Sequence, residues 1–296
     1  TIVTMPKLAT HFDKTAVLVD GETRLLGLIG QGIGYTKSPA IHNCAMKRMN
    51  FNGVYVPFDV AAENVAGLLE TLWGLGAVGM NVTTPHKERV ASLITGHGFQ
   101  AVNTLYRGPE GWLATSTDGL GFANGLERIS DGLNSFRQIV LLGSGGVVVS
   151  ILEHIKKYHT GDLEQVVILR RSVNSDKSLQ ALVAEAFPLQ LQKLDEPHLA
   201  ALLKGRGKET LLVQGTSAPH HGDRLEHLVP ALTSYKGVVV DLVYGKPSAL
   251  YDAAIAKDLV AQDGEAMLIE QARAAQKIWF GQSAEYENLA LALRGK

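Results

Sequence analysis

The chain has 296 residues, 46% of them hydrophobic and 19% charged, with a formal net charge of −1. That composition is enough for a sizeable core in one large or two medium domains, and it offers no basic surplus for nucleic acid or an anionic membrane. The single cysteine, Cys44, excludes an intrachain disulfide and reads as a small buried apolar residue. No apolar run approaches the roughly 20 residues that span a bilayer, and no charged-then-apolar signal pattern opens the chain. The expectation is a soluble, cytoplasmic protein.

Strand-like and helix-like segments alternate. Strands are expected at 25–29, 54–60, 78–83 and 101–106, with helices at 39–49 and 62–75 between them. Ser38 is placed as a helix N-cap, with Pro39 at the first helical position. Residues 112–117 pair with the preceding strand through the hairpin turn Arg107-Gly108-Pro109-Glu110-Gly111. Asp118 ends that strand, and a connecting helix over 122–133 carries a domain boundary near 121–124. A second series starts at Gln138, with strands at 139–142, 166–169, 189–194, 211–213, 238–243 and a short candidate at 259–261. Several of these runs are short, rich in Val, Ile and Leu and apolar on both faces, as in a parallel sheet covered by helices. The chain closes on a helix whose Met267, Gln271, Ala274, Ala275 and Ile278 share one face. Gln271 interrupts that apolar face, and from the residues alone it bonds backbone or reaches a ligand.

The turn Gly143-Ser144-Gly145-Gly146-Val147-Val148 directly follows the apolar run 139–142. Such a turn lets backbone N–H groups approach a pyrophosphate at a helix N-terminus. The next strand ends in Arg170-Arg171-Ser172, with no acid among them. An acid would bind the 2′-hydroxyl of NAD, whereas arginine and serine suit the 2′-phosphate of NADP. The competing reading is a solvated basic loop. Three valines follow the turn, and their β-branched side chains are expected to crowd the first helical turn and push the helix from the sheet.

Polar islands punctuate the first 120 residues: Thr36-Lys37-Ser38-Pro39, Asn81-Val82-Thr83-Thr84-Pro85-His86-Lys87, Val102-Asn103-Thr104 and Thr117-Asp118. Thr36, Ser38, Asn81, Thr83 and Asn103 supply short neutral donors and acceptors suited to a polyhydroxylated carboxylate. Hydride abstraction from a secondary alcohol requires removal of the hydroxyl proton. Lys87 and Asp118 are the candidate acid–base pair, although each taken alone reads as a surface ion-pair partner ahead of a catalyst. The result is an α/β chain with two parts. An N-terminal α/β substrate domain spans 1–123 with 264–296, and a Rossmann-type doubly wound dinucleotide-binding domain spans 124–263. No metal site is expected. His220-His221 and Asp223 read as a solvated loop.

Over nearly its whole length the chain resembles the shikimate dehydrogenase family. The matching stretches are Ser38-Pro39-Ala40-Ile41-His42-Asn43, the island from Asn81 to Lys87, Ala101-Val102-Asn103-Thr104-Leu105, Thr117-Asp118-Gly119-Leu120-Gly121, Asp241-Leu242-Val243-Tyr244 and 264–272. The resemblance implies reversible NADP-linked oxidation of shikimate to 3-dehydroshikimate, with Lys87 and Asp118 as the catalytic pair. It implies that Thr36 and Ser38 hold the carboxylate and that Thr83, Asn103 and Gln271 hold ring hydroxyls. It places Tyr244 and Gly264 near the site and Thr216-Ser217 facing the nicotinamide, and it implies a cleft between the two parts. Four positions depart from the family: Tyr35 for histidine, Thr36 for serine, Gln100 for glycine and Ser116 for asparagine. They suggest a divergent branch. The alternatives are a quinate or aminoshikimate dehydrogenase, with NAD as a further cofactor choice, and a ligand-sensing homologue of weak catalysis. The expected partner is a small polyhydroxy carboxylate, and the expected state a monomer or homodimer.

Overall fold

The computed structural model describes residues 19–173, 177–183 and 186–295. The first sheet holds β1 (Arg24–Gly30), β2 (Gly53–Asp59), β3 (Gly79–Val82), β4 (Thr104–Arg107) and β5 (Trp112–Thr115) in the order β2-β1-β3-β4-β5. Its first three strands are parallel, and β4 and β5 close it as an antiparallel hairpin. α1 (Ser38–Arg48), α2 (Val65–Gly74) and α3 (Lys87–Leu93) are the crossover helices of this half. Apolar residues on both faces make two separate packing layers, one under α2 around Met80 and one around Leu26 and Tyr55.

After α4 (Asp118–Leu126) the second sheet holds β6 (Gln138–Leu142), β7 (Gln165–Arg170), β8 (Leu189–Lys193), β9 (Thr210–Gln214), β10 (Val238–Asp241) and β11 (Ala261–Gln262). Their order is β11-β10-β9-β6-β7-β8, and every pairing is parallel. The helices are α5 (Gly146–Tyr158), α6 (Lys177–Val183), α7 (Glu196–Leu203), α8 (Ala249–Ala256), α9 (Gly264–Phe280) and α10 (Tyr286–Leu293). The strand order reverses between β6 and β9, and in open parallel sheets ligands bind at the carboxyl edge of that switch point. No helix among the described residues is long and apolar enough to cross a membrane.

Several local expectations differ from the structure. The N-cap of α1 is Lys37, so Ser38 is already helical and makes no capping bond. The fourth strand starts at Thr104 rather than 101, because the Val102 N–H turns away to the Lys87 carbonyl. Asp118 opens α4 instead of ending a strand, and that helix stops at Leu126 rather than continuing to 133. Its glycines admit the neighbouring helices: Gly119 faces His154 on α5, and Gly121 and Gly125 face Gln271 and Met267 on α9. On α9, Met267, Ala274 and Ala275 are buried, while Ile278 is exposed. α10 was not anticipated. It packs Leu289 and Leu293 against Ile41 and Ile269.

The ring of His42 on α1 is wholly buried, stacked on Tyr55 at 4.3 Å, and neither ring nitrogen has a hydrogen-bond partner. Burial pushes its pKa from 6.5 down to about 3. In the unfolded chain the ring takes a proton as pH falls below its usual value, and in the fold it does not. This residue's contribution to stability is therefore complete above pH ~6.5 and is lost at about 1.4 kcal/mol per pH unit as pH falls toward about 3. His42→Phe should remove one proton's worth of slope from the acid limb of unfolding free energy against pH. An unchanged slope in urea titrations would show that the folded ring carries a proton.

Candidate active site

Three parallel strands end in register at the switch point. Leu142 of β6 pairs with Gln214 of β9, which pairs with Asp241 of β10. Each strand therefore delivers its following loop to one edge: Gly143–Gly146, then Gly215–Ser217, then Leu242–Ser248. The Gly143 N–H donates to the Leu169 carbonyl and the Gly215 N–H to the Leu142 carbonyl, so the loops continue the ladder. Gly143 has φ +98°, a conformation that a side chain would strain. Gly145 is exposed, with open space where a Cβ would stand. The Gly145 carbonyl accepts from the Val148 and Val149 N–H groups to start α5, whose amide ends face the edge.

The expected displacement by the valines finds a local accommodation. Val148 is fully buried, and a Cβ on Gly215 would lie 2.8 Å from its Cγ2, so the bare backbone of Gly215 makes room for the branched side chain. Val149 is buried and Val147 packs partly against the same core. Arg170 ends β7, and Arg171 and Ser172 follow in an exposed loop beside the turn. The edge thus offers what a dinucleotide needs: a glycine turn, a helix start and two arginines, one at the end of the neighbouring strand and one in the loop after it.

The other wall comes from the first sheet. β3 ends at Val82, and the Thr83 N–H still donates to the Ile29 carbonyl. A tight turn then brings the His86 N–H to the Thr83 carbonyl, with the Thr84–Pro85 bond cis. His86 is buried, its Nε2 2.8 Å from the Val60 carbonyl oxygen. α3 therefore starts at a fixed place, and its first residue is Lys87. Lys87 Nζ donates to Asp118 Oδ2 at 2.5 Å, with the side chains 15% and 7% exposed. A lysine in a first helical turn opposes the helix dipole, and the carboxylate at the start of α4 offsets this. Asn103 Nδ2 donates to the second Asp118 oxygen at 2.8 Å, and Asn103 Oδ1 accepts from the Thr117 N–H at 2.7 Å. Asp118 is thus held at both oxygens. A Cβ on Gly146 would sit 3.6 Å from Lys87 Cδ, so the glycine turn and the ion pair face each other across the cleft.

The remaining candidates distribute unevenly around this pair. Gln271 on α9 is half-buried, its Oε1 accepting from Asn103 Nδ2 at 3.3 Å while its own Nε2 donates to the Leu268 carbonyl. The backbone reading of Gln271 therefore holds for its Nε2, and its Oε1 turns to Asn103. Thr83 is half-buried at the end of β3, its N–H on the Ile29 carbonyl and its carbonyl on the His86 N–H. Thr36 Oγ1 donates to Ser38 Oγ at 3.3 Å at the start of α1. Tyr244 is half-buried in the second half, and burial raises its hydroxyl pKa, with Tyr35 adding to the rise and Lys37 and Thr36 working against it. Gly264 opens α9 with its N–H donating to the Val243 carbonyl. Asn81 lies deeper. It is buried, its Oδ1 accepts from the Tyr55 hydroxyl at 2.8 Å, and its Nδ2 donates to the Asn103 carbonyl and Thr104 Oγ1.

Two of the divergent positions are contacts between the halves. Ser116 Oγ donates to Ser150 Oγ on α5, and the Gln100 N–H donates to Glu153 on the same helix. Tyr35 lies 5.2 Å from the His220 ring across the cleft. Sequence reasoning missed Gln214 and Asp241, both fully buried behind the loops. The available signal was a polar residue closing each of two otherwise apolar strands. Among the described residues no group of three or more His, Cys, Asp or Glu is arranged to hold a metal ion.

Gly121 sets where Gln271 stands. A Cβ there would lie 2.6 Å from the Gln271 backbone nitrogen, so α4 and α9 touch backbone to backbone. Gly121→Ala must push α9 outward and draw Gln271 from Asn103. Overpacking of this kind costs about 1–3 kcal/mol, and substrate KM should rise about tenfold, the equivalent of ~1.4 kcal/mol. Steady-state kinetics beside a urea melt checks both, and an unchanged KM would remove Gln271 from the site.

A switch-point glycine turn facing a buried lysine–carboxylate pair defines a two-part dinucleotide-dependent oxidoreductase. Residues 28–105 match the family model described as the shikimate dehydrogenase substrate binding domain. A shikimate dehydrogenase (NADP(+)) of Thermosynechococcus vestitus is 35% identical over 287 residues, covering 93% of this chain and 96% of that one. One from Synechocystis sp. is 31% identical over 290 residues, with coverage of 93% and 96%. A crystal structure of a shikimate dehydrogenase in complex with NADP+ has a TM-score of 0.81 at 26% identity, covering 94% of this chain and 97% of that one. The chain belongs to the shikimate dehydrogenase family.

Proposed function

We propose that this chain interconverts shikimate and 3-dehydroshikimate with NADP as its cofactor. The observation that carries the reading is the Lys87–Asp118 contact at 2.5 Å, held by Asn103 and facing the Gly143–Gly146 turn. Relatives that carry this activity in their names, at 30% identity and above, support it. The proposed substrate half is 1–123 with 264–296, and the proposed NADP half is 124–263.

NADP, when bound, supplies the hydride acceptor. The chain's own residues do the rest. Ser144, Gly145, Gly146 and Val147 would offer backbone N–H groups to the pyrophosphate, and Gly143, whose own N–H is spent on the Leu169 carbonyl, makes the turn that presents them. Arg170, Arg171 and Ser172 take the 2′-phosphate, and Thr216, Ser217 and Gly264 border the nicotinamide. Thr36, Ser38 and Tyr244 hold the substrate carboxylate. Thr83, Asn103 and Gln271 hold ring hydroxyls. Lys87 and Asp118 together take the proton from the hydroxyl being oxidised and return it in the reverse direction. Because Asn81 has its amide fully engaged below the site, its assigned role is to hold Asn103 rather than to touch substrate. The proposed setting is cytoplasmic, as a monomer or homodimer.

Thr36 keeps a quinate dehydrogenase in view, because one methyl at the carboxylate end changes discrimination by roughly 1–3 kcal/mol. The test is steady-state reduction of NADP and NAD with shikimate and with quinate. The highest kcat/KM is expected for shikimate with NADP. Preference for quinate would move the protein to the alternative activity, and shikimate binding without reduction of either cofactor would make it a sensor.

A further inference from the structure

We propose that Gln214 and Asp241 are a positioning pair that ties the Thr216 loop to the Tyr244 loop, so that cofactor and substrate binding reinforce each other. The proposal rests on the reading of the site given above.

Gln214 is fully buried at the end of β9, and its amide is used completely. Its Oε1 accepts from the Thr216 N–H at 2.6 Å and from Thr216 Oγ1 at 2.7 Å. Its Nε2 donates to the Thr216 carbonyl at 3.3 Å and to Asp241 Oδ1 at 3.2 Å. Asp241 stands opposite in register and is also fully buried. Its Oδ1 accepts from the Val243 N–H at 2.9 Å and its Oδ2 from the Ser248 N–H at 2.6 Å. The carboxylate therefore gathers both ends of the Leu242–Ser248 loop, and the amide bolts the Thr216 turn to it. Buried polar networks that are fully satisfied rigidify what they join.

The two loops face different ligands. Thr216 touches the cofactor turn, since a Cβ on Gly143 would lie 3.0 Å from its Cγ2. Tyr244 faces the Tyr35 side of the site through the His220 ring. The His220 ring, carried by the Thr216 loop, lies 6.5 Å from Tyr244 and 5.2 Å from Tyr35. A ligand that orders one loop thus orders the other through Gln214, and the second ligand meets a site already formed.

The test uses shikimate and NADPH, both reduced and so unreactive together. Shikimate is titrated into the full chain with and without saturating NADPH. Wild type is expected to bind shikimate at least about fivefold more tightly with NADPH present, the lower end of ordinary coupling. Gln214→Met keeps the side chain's length and loses its hydrogen bonds, and the coupling factor should fall to within twofold of one. Thr216→Val, which deletes one bond to the pair and keeps the shape, should lose part of the coupling and serves if Gln214→Met does not fold. A residue that only stabilised the domain would weaken both binary affinities and leave the coupling intact, and that result overturns the proposal. Absence of coupling in wild type overturns it as well. Failure of wild type to bind shikimate at all would instead overturn the functional reading, and this inference with it.

Discussion

Lys87→Ala should lower kcat about 10³-fold while shikimate still binds within a few-fold of wild type. General acid–base groups contribute roughly 10²–10⁴-fold to rate, and in this site Lys87 is the nitrogen donor that meets Asp118 inside the cleft. Its removal leaves the carboxylate with Asn103 and no cation, so the hydroxyl proton has no relay. Binding is expected to survive because the proposed substrate contacts Thr36, Ser38 and Gln271 stand on other elements. Asp118→Asn should fall into the same range, since the amide keeps the shape but no longer carries the charge that orients Lys87. The loss should appear in kcat and kcat/KM together, the signature of an interaction made in the transition state. Turnover near wild type in either variant, with substrate bound, would remove the pair from the chemistry.

The double substitution Arg170→Ala, Arg171→Ala should cut kcat/KM for NADP about 100-fold and leave that for NAD nearly unchanged. Hydrogen bonds to charged groups are worth about 1.5–3 kcal/mol, and the 2′-phosphate is what the two arginines see and NAD lacks. Their position supports this: Arg170 ends the strand next to the one that feeds the glycine turn, and Arg171 is exposed beside it. The measurement is the ratio of the two cofactors' kcat/KM in wild type and variant. An equal loss with both cofactors would mean that the arginines only hold the loop.

Much of the architecture was legible because it follows from local rules. The central strands β6, β7, β9 and β10 of the second sheet are largely apolar on both faces, and such runs end up covered by helices on each side. The hairpin over residues 107–111 has the turn chemistry its sequence states, with the Gly108 N–H donating to the Gly111 carbonyl. What was not legible depended on partners far away in the chain. Gly119, Gly121 and Gly125 punctuate a sequence, yet in α4 they are small residues that admit neighbouring helices. Ser38 has an N-cap's chemistry, but its hydroxyl partner is Thr36 and the chain is already helical. Asn81 looked like a ligand contact because it shares an island with Lys87. The pairing of β3 with β4 instead turns its amide to Asn103 and Thr104. Val148 looked disruptive until Gly215, 67 positions on by number, lay opposite it. Lys87 and Asp118 were named from their residue types. Their contact required two helix starts to meet, which only the fold provides.

The most direct test follows the atom that moves. Shikimate deuterated at the carbon whose hydroxyl is oxidised is incubated with the full chain and NADP+, and the products are read by mass spectrometry beside the reduced-nicotinamide absorbance. The account predicts reduction of the cofactor, one deuterium carried into it, and 3-dehydroshikimate in equal amount. Folded protein that binds shikimate but neither reduces NADP+ nor transfers the label would contradict it.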